Sequence, residues 1–205
     1  MTYLLIAFLA VAFVPLLIGS WRVSLVGLAM QGLLMAWMAL LGSPDWNPGF
    51  IVLLADLALL RGLLAPELLS RALKARKEPA RNEVIPANLL YWFGAGALVG
   101  LAFGFARRVA DGEARLPIAV AAAALLLGLF VLATEEPRLS QIVGLLRIEN
   151  AIALFELVSP FHLPLLLHVG MSTSYAFSVA LYLAFLSQRS LTQEGQVEDL
   201  GRPTL

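Results

Sequence analysis

Apolar residues fill long windows of this chain, and Pro, Gly or charged residues separate one window from the next. The windows cover roughly residues 3–20, 23–42, 48–70, 88–106, 116–134, 139–158 and 162–187. Each is close to the roughly 20 residues that a helix needs to cross the hydrocarbon core of a bilayer. The pattern therefore predicts an all-α integral membrane protein of about seven transmembrane helices. It places one polytopic domain at 1–187 and a polar, loosely ordered tail at 188–205.

The sixth window differs from the others because charged residues lie in its middle. The segment GLLRIENAIALFEL, residues 144–157, places Arg147, Glu149, Asn150 and Glu156 among apolar neighbours. A charge at that depth is costly, so an intramembrane acid indicates a functional site. Glu149 and Glu156 are separated by two helical turns, which puts their carboxylates about 10 Å apart on one face. That spacing suits two stations of a proton relay.

The third and seventh windows also contain ionisable residues. Asp56 and Arg61 both lie inside the third window. Five residues turn an α-helix by about 140°, so we expect Asp56 and Arg61 to face different neighbours instead of each other. Arg147 is then expected to pair with Asp56 or with an acid of another subunit. In the seventh window, His168 could relay protons, because histidine populates both of its protonation states near neutrality.

Each of these residues has a structural interpretation beside the functional one. Glu149 is either a carboxyl that exchanges protons near neutral pH or one half of a salt bridge between helices. Glu156 lies near the end of its window, where snorkelling lowers the cost of its charge. Asn150 is expected to hydrogen-bond between helices. His168 could simply be a satisfied polar residue, and the serines of the seventh window could simply pack helices.

The composition narrows the function classes further. Of 205 residues, 60% are hydrophobic and only 14% are charged, which is typical of membrane proteins. The absence of cysteine excludes disulfides and thiolate-held iron–sulfur clusters from this chain, and two histidines leave little for haem or zinc. We therefore expect no cofactor here and, with zero net charge, no nucleic-acid partner.

The distribution of basic residues predicts an orientation in the membrane. The segment RALKARKEPARNE holds five of them: Arg71, Lys74, Arg76, Lys77 and Arg81. This is the positive-inside signal of a cytoplasmic loop or, alternatively, a site for lipid or a partner. If this loop is cytoplasmic, seven spans put the N-terminus outside and the C-terminus inside. Arg22 and Arg189 then lie on the cytoplasmic side, as the positive-inside rule expects. The basic residues at 107, 108 and 115 would lie outside, which is contrary to the rule.

Two further features of the sequence concern the N-terminus and helix packing. The first apolar run is not preceded by Lys or Arg and has no convincing cleavage site, so we expect a retained first span.

In the fourth window, Gly96, Gly100 and Gly104 form a ridge of small residues at four-residue spacing. Such a ridge lets a second helix approach closely.

The segment GLLRIENAIALFEL resembles the Glu-Asn-Gly/Ala signature of hydrogenase-4 component E proteins, which are membrane subunits of group 4 hydrogenase complexes. Glu149 and Asn150 match the Glu-Asn pair. Residues 116–187 are more distantly similar to the K subunit of respiratory complex I and the C subunit of Mrp-type antiporters. Those subunits place their acid one turn earlier, where this chain has Leu146. They also lead us to expect acids in the last span, where this chain has His168 and Ser174.

The resemblance implies a non-catalytic subunit between a redox-driven membrane arm and antiporter-like subunits, in a bacterial or archaeal cell membrane. Glu149, Glu156, Asp56 and His168 would then belong to a path for protons or sodium ions. Arg147, Arg61 and Asn150 would set proton affinities or pair helices. Two alternatives stay open: an accessory subunit of an ion or inorganic-carbon transporter, and a scaffold that seals the interface between larger subunits.

Overall fold

A computed structural model of the chain describes residues 1–17, 20–42, 46–75, 89–134, 138–158 and 165–200. These residues form seven long helices and no strand, so the all-α prediction is confirmed for them. The helices are α1 Thr2–Leu17, α2 Trp21–Leu41, α3 Pro48–Ala75, α4 Leu89–Val109, α5 Arg115–Thr134, α6 Arg138–Val158 and α7 Leu165–Leu200. Most of their ends lie within a few residues of the predicted windows.

Among the described residues, four helical stretches are long and apolar enough to cross a membrane, judged by length and composition. They are Trp21–Leu41, Pro48–Ala75, Gly112–Thr134 and His168–Ser187. Many large apolar side chains on the outer surface are exposed, among them Val26, Trp37, Phe93, Leu101 and Phe177. Contiguous exposed apolar surface is unfavourable in water but suits a lipid environment or a partner's surface. The helices are therefore compatible with a membrane protein.

Local signals in the sequence explain where α3 begins. The side chain of Asn47 accepts a hydrogen bond from the backbone N–H of Phe50 at 2.8 Å, which satisfies one of the free donors of the first turn. Pro48 occupies the first turn, where its missing N–H costs nothing. Trp46 stacks edge-on against Phe50, with ring centroids 5.5 Å apart. These contacts fix the start of α3.

A π-helical segment, Asp56–Leu64, interrupts the regular α-helical bonding in the middle of α3. It uses i→i+5 hydrogen bonds, as seen at Ala65, whose N–H bonds to the carbonyl of Leu60. Pro66 follows directly and could not donate the usual bond to the carbonyl of Gly62. The helix nevertheless continues through Pro66 to Ala75. Because π-helical turns are rare and occur often at functional sites, this segment marks α3 as unusual.

Two apolar clusters occupy opposite ends of the helix bundle. The first joins α1, α2, α3, α5 and α6, and it includes Leu5, Phe8, Met35, Leu57, Val120 and Leu154. The second joins α2, α3, α6 and α7, and it includes Trp21, Leu28, Leu69, Leu146, Tyr175 and Val179. On α2 and on α6, the residues of one cluster precede those of the other along the helix. Gln31 of α2, Arg61 of α3, and Arg147 and Asn150 of α6 lie between the two clusters along their helices, whereas the buried side chains of Ser24, Ser140 and His168 do not.

Close approach of helices occurs at glycines other than the predicted ridge. A Cβ at Gly32 of α2 would lie 2.5 Å from the backbone nitrogen of Gly62 on α3, so the two helices nearly touch there. At Gly128 of α5 a Cβ would lie 3.0 Å from the backbone nitrogen of Ile148 on α6. No described residue comes within 4 Å of a Cβ built at any glycine of the ridge in α4. Among the described helices, none packs against the ridge.

The C-terminal tail differs from its prediction. The sequence predicted a loosely ordered segment from residue 188, whereas α7 continues to Leu200. The tail contains good helix formers such as Gln, Glu and Leu, and an α-helix tolerates its single internal glycine at the cost of about 1 kcal/mol. Residues 201–205 lie outside the described part of the chain, as do Arg76, Lys77 and Arg81 of the predicted cytoplasmic loop.

We expect Gly32→Ala to destabilise the bundle, because its new methyl group would collide with the backbone of α3 at Arg61 and Gly62. Overpacking of this kind costs about 1–3 kcal/mol. The measurement is a thermal unfolding midpoint of the purified protein in detergent. Gly96→Ala is the matched control, since no described atom lies near its Cβ, and it should leave the midpoint unchanged or raise it. Equal midpoints for the two variants would contradict the close contact.

Candidate functional site

A buried polar layer lies between the two apolar clusters. On α2 the layer contains Gln31, and on α3 it contains Asp56 and Arg61. On α6 it contains Arg147 and Asn150. All five side chains are buried, and the 144–157 segment predicted the two residues of α6. Since apolar side chains fill both ends, polar groups in the layer must satisfy one another or the backbone.

Arg61 is the centre of this layer. Its Nε donates to Oδ2 of Asp56 at 2.8 Å, and its Nη1 donates to Oδ1 of Asn150 at 3.1 Å. The amide nitrogen of Asn150 donates in turn to Oε1 of Gln31 at 3.2 Å. The chain of bonds joins α3, α6 and α2 across the bundle. Asn150 therefore bonds between helices, as the sequence predicted.

The pairing of Asp56 with Arg61 corrects the expectation that these residues would face different neighbours. The two side chains are only 1% and 3% exposed, so the ion pair is fully buried. The expectation assumed regular α-helical geometry, in which a separation of five residues points side chains apart. Both residues lie in the π-helical segment, whose i→i+5 bonding aligns residues five apart. The prediction was wrong because the helix type was not foreseen.

Tyr175 of α7 closes the polar layer on the side of Arg61. The Arg61 guanidinium lies over the Tyr175 ring, 4.3 Å from its centroid, a geometry typical of a cation–π contact. Two buried oxygen atoms here have no hydrogen-bond partner among the described residues: the Tyr175 hydroxyl and Oδ1 of Asp56. Buried polar atoms of this kind are where ordered water binds in proteins. The layer is therefore chemically able to hold water next to a fixed ion pair.

Glu149 lies beside the layer, between α6 and α7. Its Oε1 accepts hydrogen bonds from the hydroxyls of Ser178, at 3.1 Å, and Ser174, at 3.3 Å. Its Oε2 is buried and accepts no hydrogen bond from a described residue. No described cation forms an ion pair with it. Glu149 thus differs from Asp56, because two neutral hydroxyls, and not a guanidinium, hold its carboxyl.

The position of Glu149 links the interior to the outer face of α7. Its chain neighbour Asn150 belongs to the buried layer, while Ser174 is exposed on the bundle surface. A proton on Glu149 could therefore pass through these hydroxyls toward the exposed face of α7. Two hydroxyl groups, each able to donate and accept, suit such a transfer.

Arg147 does not pair with Asp56, which corrects a second prediction. Its Nη1 donates to the backbone carbonyl of Ala12 on α1 at 3.4 Å, and its side chain is buried. Asp56 already has Arg61 as its partner. Arg147 thus ties α6 to α1, and it forms no ion pair with an acid in the described ranges. Its predicted alternative partner, an acid of another subunit, stays a prediction.

Glu156 and His168 form a separate pair at the other end of the α6–α7 interface. The Nδ1 atom of His168 lies 3.2 Å from Oε1 of Glu156, and both side chains are largely buried. Their outer atoms, Nε2 of His168 and Oε2 of Glu156, have no hydrogen-bond partner in the described part of the chain. The structure thus brings two of the four candidate relay residues into contact. Neither of them contacts Glu149.

The sequence analysis missed Gln31, Tyr175 and Ser178 as members of the site. Gln31 is a single amide in the middle of α2, which a hydrogen bond across helices would explain. Ser174 and Ser178 are four residues apart, so they share a helix face and can reach one acceptor together. That spacing was visible in the sequence, but without the partner helix it also fitted simple packing.

Neither a metal site nor a known relative accounts for this arrangement. The described residues contain no group of three or more His, Asp or Glu side chains that could hold a metal ion. Comparisons of the chain with protein-family models, with characterised proteins and with solved structures each find no match. The argument for function therefore depends on the geometry of the polar layer and of Glu149.

Proposed function

We propose that this protein is a non-catalytic membrane subunit that moves protons or sodium ions through Glu149. One observation supports the proposal most: an acid within an apolar helix bundle is held by two serine hydroxyls instead of by a cation. An acid kept only to pair helices would be expected to face a basic residue. Asp56 is such an acid, because Arg61 holds it. Glu149 can therefore gain and lose a proton without breaking an ion pair.

The remaining polar residues receive different roles in this proposal. The pair of Arg61 and Asp56 supplies a fixed dipole beside Glu149, and the Tyr175 hydroxyl could contact water in the layer. The pair of Glu156 and His168 would be a second station on the same interface. Movement between the two stations would follow the contact between α6 and α7. Asp56 is then a positioning group and a less suitable relay station than the sequence suggested.

The wider setting of the proposal is a complex with larger membrane proteins. Its basis is the likeness of residues 144–157 to hydrogenase-4 component E proteins, with antiporter-like subunits and a redox module as partners. In that setting all seven helices cross the membrane, with the N-terminus outside and the C-terminus in the cytoplasm. Ser174 on the exposed face of α7 would meet the antiporter-like neighbour. Electrons would travel only in the partner chains.

One observation favours a second candidate function, the scaffold. The bonds from Arg61 to Asn150 and from Asn150 to Gln31 lock three helices, and Arg147 locks a fourth. Buried polar networks can serve mainly to fix a unique arrangement of helices. On that account, the layer would hold the shape of a subunit that seals an interface, and Glu149 would be incidental.

Isolation of the native complex tests the proposed setting. We expect chains of an antiporter-like membrane protein together with a nickel–iron or iron–sulfur protein, identified by mass spectrometry after mild detergent extraction. Copurification of antiporter-like or transport chains without any redox protein would instead favour an accessory subunit of an ion or inorganic-carbon transporter. Extraction of the chain alone, under conditions that preserve other membrane complexes, would contradict both assignments.

A further inference from the structure

A groove of about 690 Å³ lies on the bundle surface between α2 and α3, away from the polar layer. These helices are antiparallel neighbours, so the start of α2 and the end of α3 meet at one end of the groove. Arg22, Arg71 and Lys74 line that end. This agrees with the predicted placement of Arg22 on the same side as the basic segment. The groove thus opens at the end of the bundle that the sequence assigns to the cytoplasm.

The lining of the groove changes from charged to apolar along its length. Away from the basic end it is formed by Val26 and Ala29 of α2 and by Leu63 and Leu64 of α3. Three of these side chains, those of Val26, Leu63 and Leu64, are well exposed. Seven residues of α2 separate Arg22 from Ala29, a distance of about 10 Å along the axis. The gradient matches a molecule with an anionic head and an apolar chain.

The charges at the basic end are not balanced by the groove itself. Glu67 is the single acid in the lining, and it pairs with Arg71 at 2.7 Å. Arg22 and Lys74 remain as exposed cations that form no ion pair with the described residues that line the groove. The Arg22 guanidinium lies 5.3 Å from the centroid of the Trp21 ring, which holds it at the mouth of the groove. A ligand here must bring negative charge.

We propose that this groove binds the phosphate headgroup of an anionic phospholipid, with one acyl chain lying along the apolar part between α2 and α3. Arg22 and Lys74 would contact the headgroup, and Val26 and Leu63 would contact the chain. Basic residues at the cytoplasmic surface of a membrane attract anionic lipids. The exposed apolar lining specifies a lipid and not a soluble phosphate, because a soluble phosphate would leave it exposed to solvent.

Native mass spectrometry of the purified full-length chain tests this site. The probes are phosphatidylglycerol and phosphatidylcholine with identical acyl chains, added to the protein in detergent. We expect preferential retention of phosphatidylglycerol. Arg22→Gln combined with Lys74→Gln should lower its affinity roughly fivefold for each cation removed, given the typical attraction of one basic residue for an anionic surface. Arg22→Lys combined with Lys74→Arg should preserve binding, because both charges remain.

A matched control removes the same charge elsewhere. Arg107→Gln combined with Arg108→Gln changes two exposed residues of α4 outside the groove and should leave phosphatidylglycerol binding unchanged. Soluble glycerol phosphate should not displace the bound lipid. Three results would each overturn the inference. They are equal retention of the two lipids, an equal loss of affinity in the groove variant and in the α4 control variant, and displacement of the lipid by glycerol phosphate. None of these results bears on ion movement through Glu149.

Discussion

Glu149→Gln should abolish ion translocation by the assembled complex while leaving the complex intact. The glutamine side chain has the same size, and its carbonyl oxygen can still accept the hydrogen bonds of Ser174 and Ser178. It cannot take up or release a proton. Removal of a group that transfers protons lowers the rate by about 10²-fold or more. The measurement is proton movement into sealed vesicles that contain the complex, followed with a pH-sensitive dye.

Glu67→Gln is the matched control for this experiment. It makes the same chemical change at an exposed acid of α3, which pairs with Arg71 at the surface. Translocation should be unchanged in that variant. A Glu149→Gln complex that contains all of its subunits and pumps at the normal rate would refute the relay. The scaffold would then be the better account of the polar layer.

Arg61→Met should destabilise the protein more than any other single change considered above. The substitution leaves Asp56 as an uncompensated buried charge, and removal of one partner of a buried pair costs about 3–5 kcal/mol. It also removes the hydrogen bond to Asn150 and the contact with the Tyr175 ring. The measurement is a denaturant or thermal unfolding curve of the purified protein in detergent.

A double variant shows whether the lost stability comes from the unpaired charge or from lost packing. Arg61→Met combined with Asp56→Leu removes both charges, and we expect it to recover most of the lost stability, because apolar replacements of buried pairs are often tolerated. Arg71→Gln is the matched control, since it breaks a surface pair of the same helix and should change stability little. If Arg61→Met were as stable as this control, the buried pair would not exist as described.

The sequence predicted the helices well and the partners inside them poorly. Apolar windows and local cap signals such as Asn47 placed most of the helices, and these signals are local, so they need no knowledge of the neighbours. Partner choice depends on how helices rotate and where they cross. Asp56 and Arg61 pair because the helix locally changes type, which period-based reasoning on an α-helix cannot anticipate. Arg147 bonds to the backbone carbonyl of Ala12 on α1, a partner that no side-chain pattern in the sequence could indicate.

In the candidate site, too, the sequence indicated the polar residues but not their partners. Glu149, Asn150 and Arg147 stood out because charged or amide groups within an apolar window are rare, whatever they contact. The serines that hold Glu149 were not recognisable as ligands, because hydroxyls in a transmembrane helix also bond to their own backbone, as Ser178 does to Ser174. The glycines of α4 illustrate the opposite error, since a small-residue pattern indicates where helices can approach and not where they do.

The arrangement of a polar layer between two apolar clusters also determines how the protein would respond to voltage. If the bundle spans a bilayer, most of the membrane field falls across the two apolar ends, because they contain few polarisable groups. An ion that reaches the middle from either side then traverses about half of the field. At 100 mV that corresponds to about 1.2 kcal/mol per elementary charge, half of the value for a full crossing. Occupancy of the interior would therefore rise or fall with membrane potential even if no helix moved.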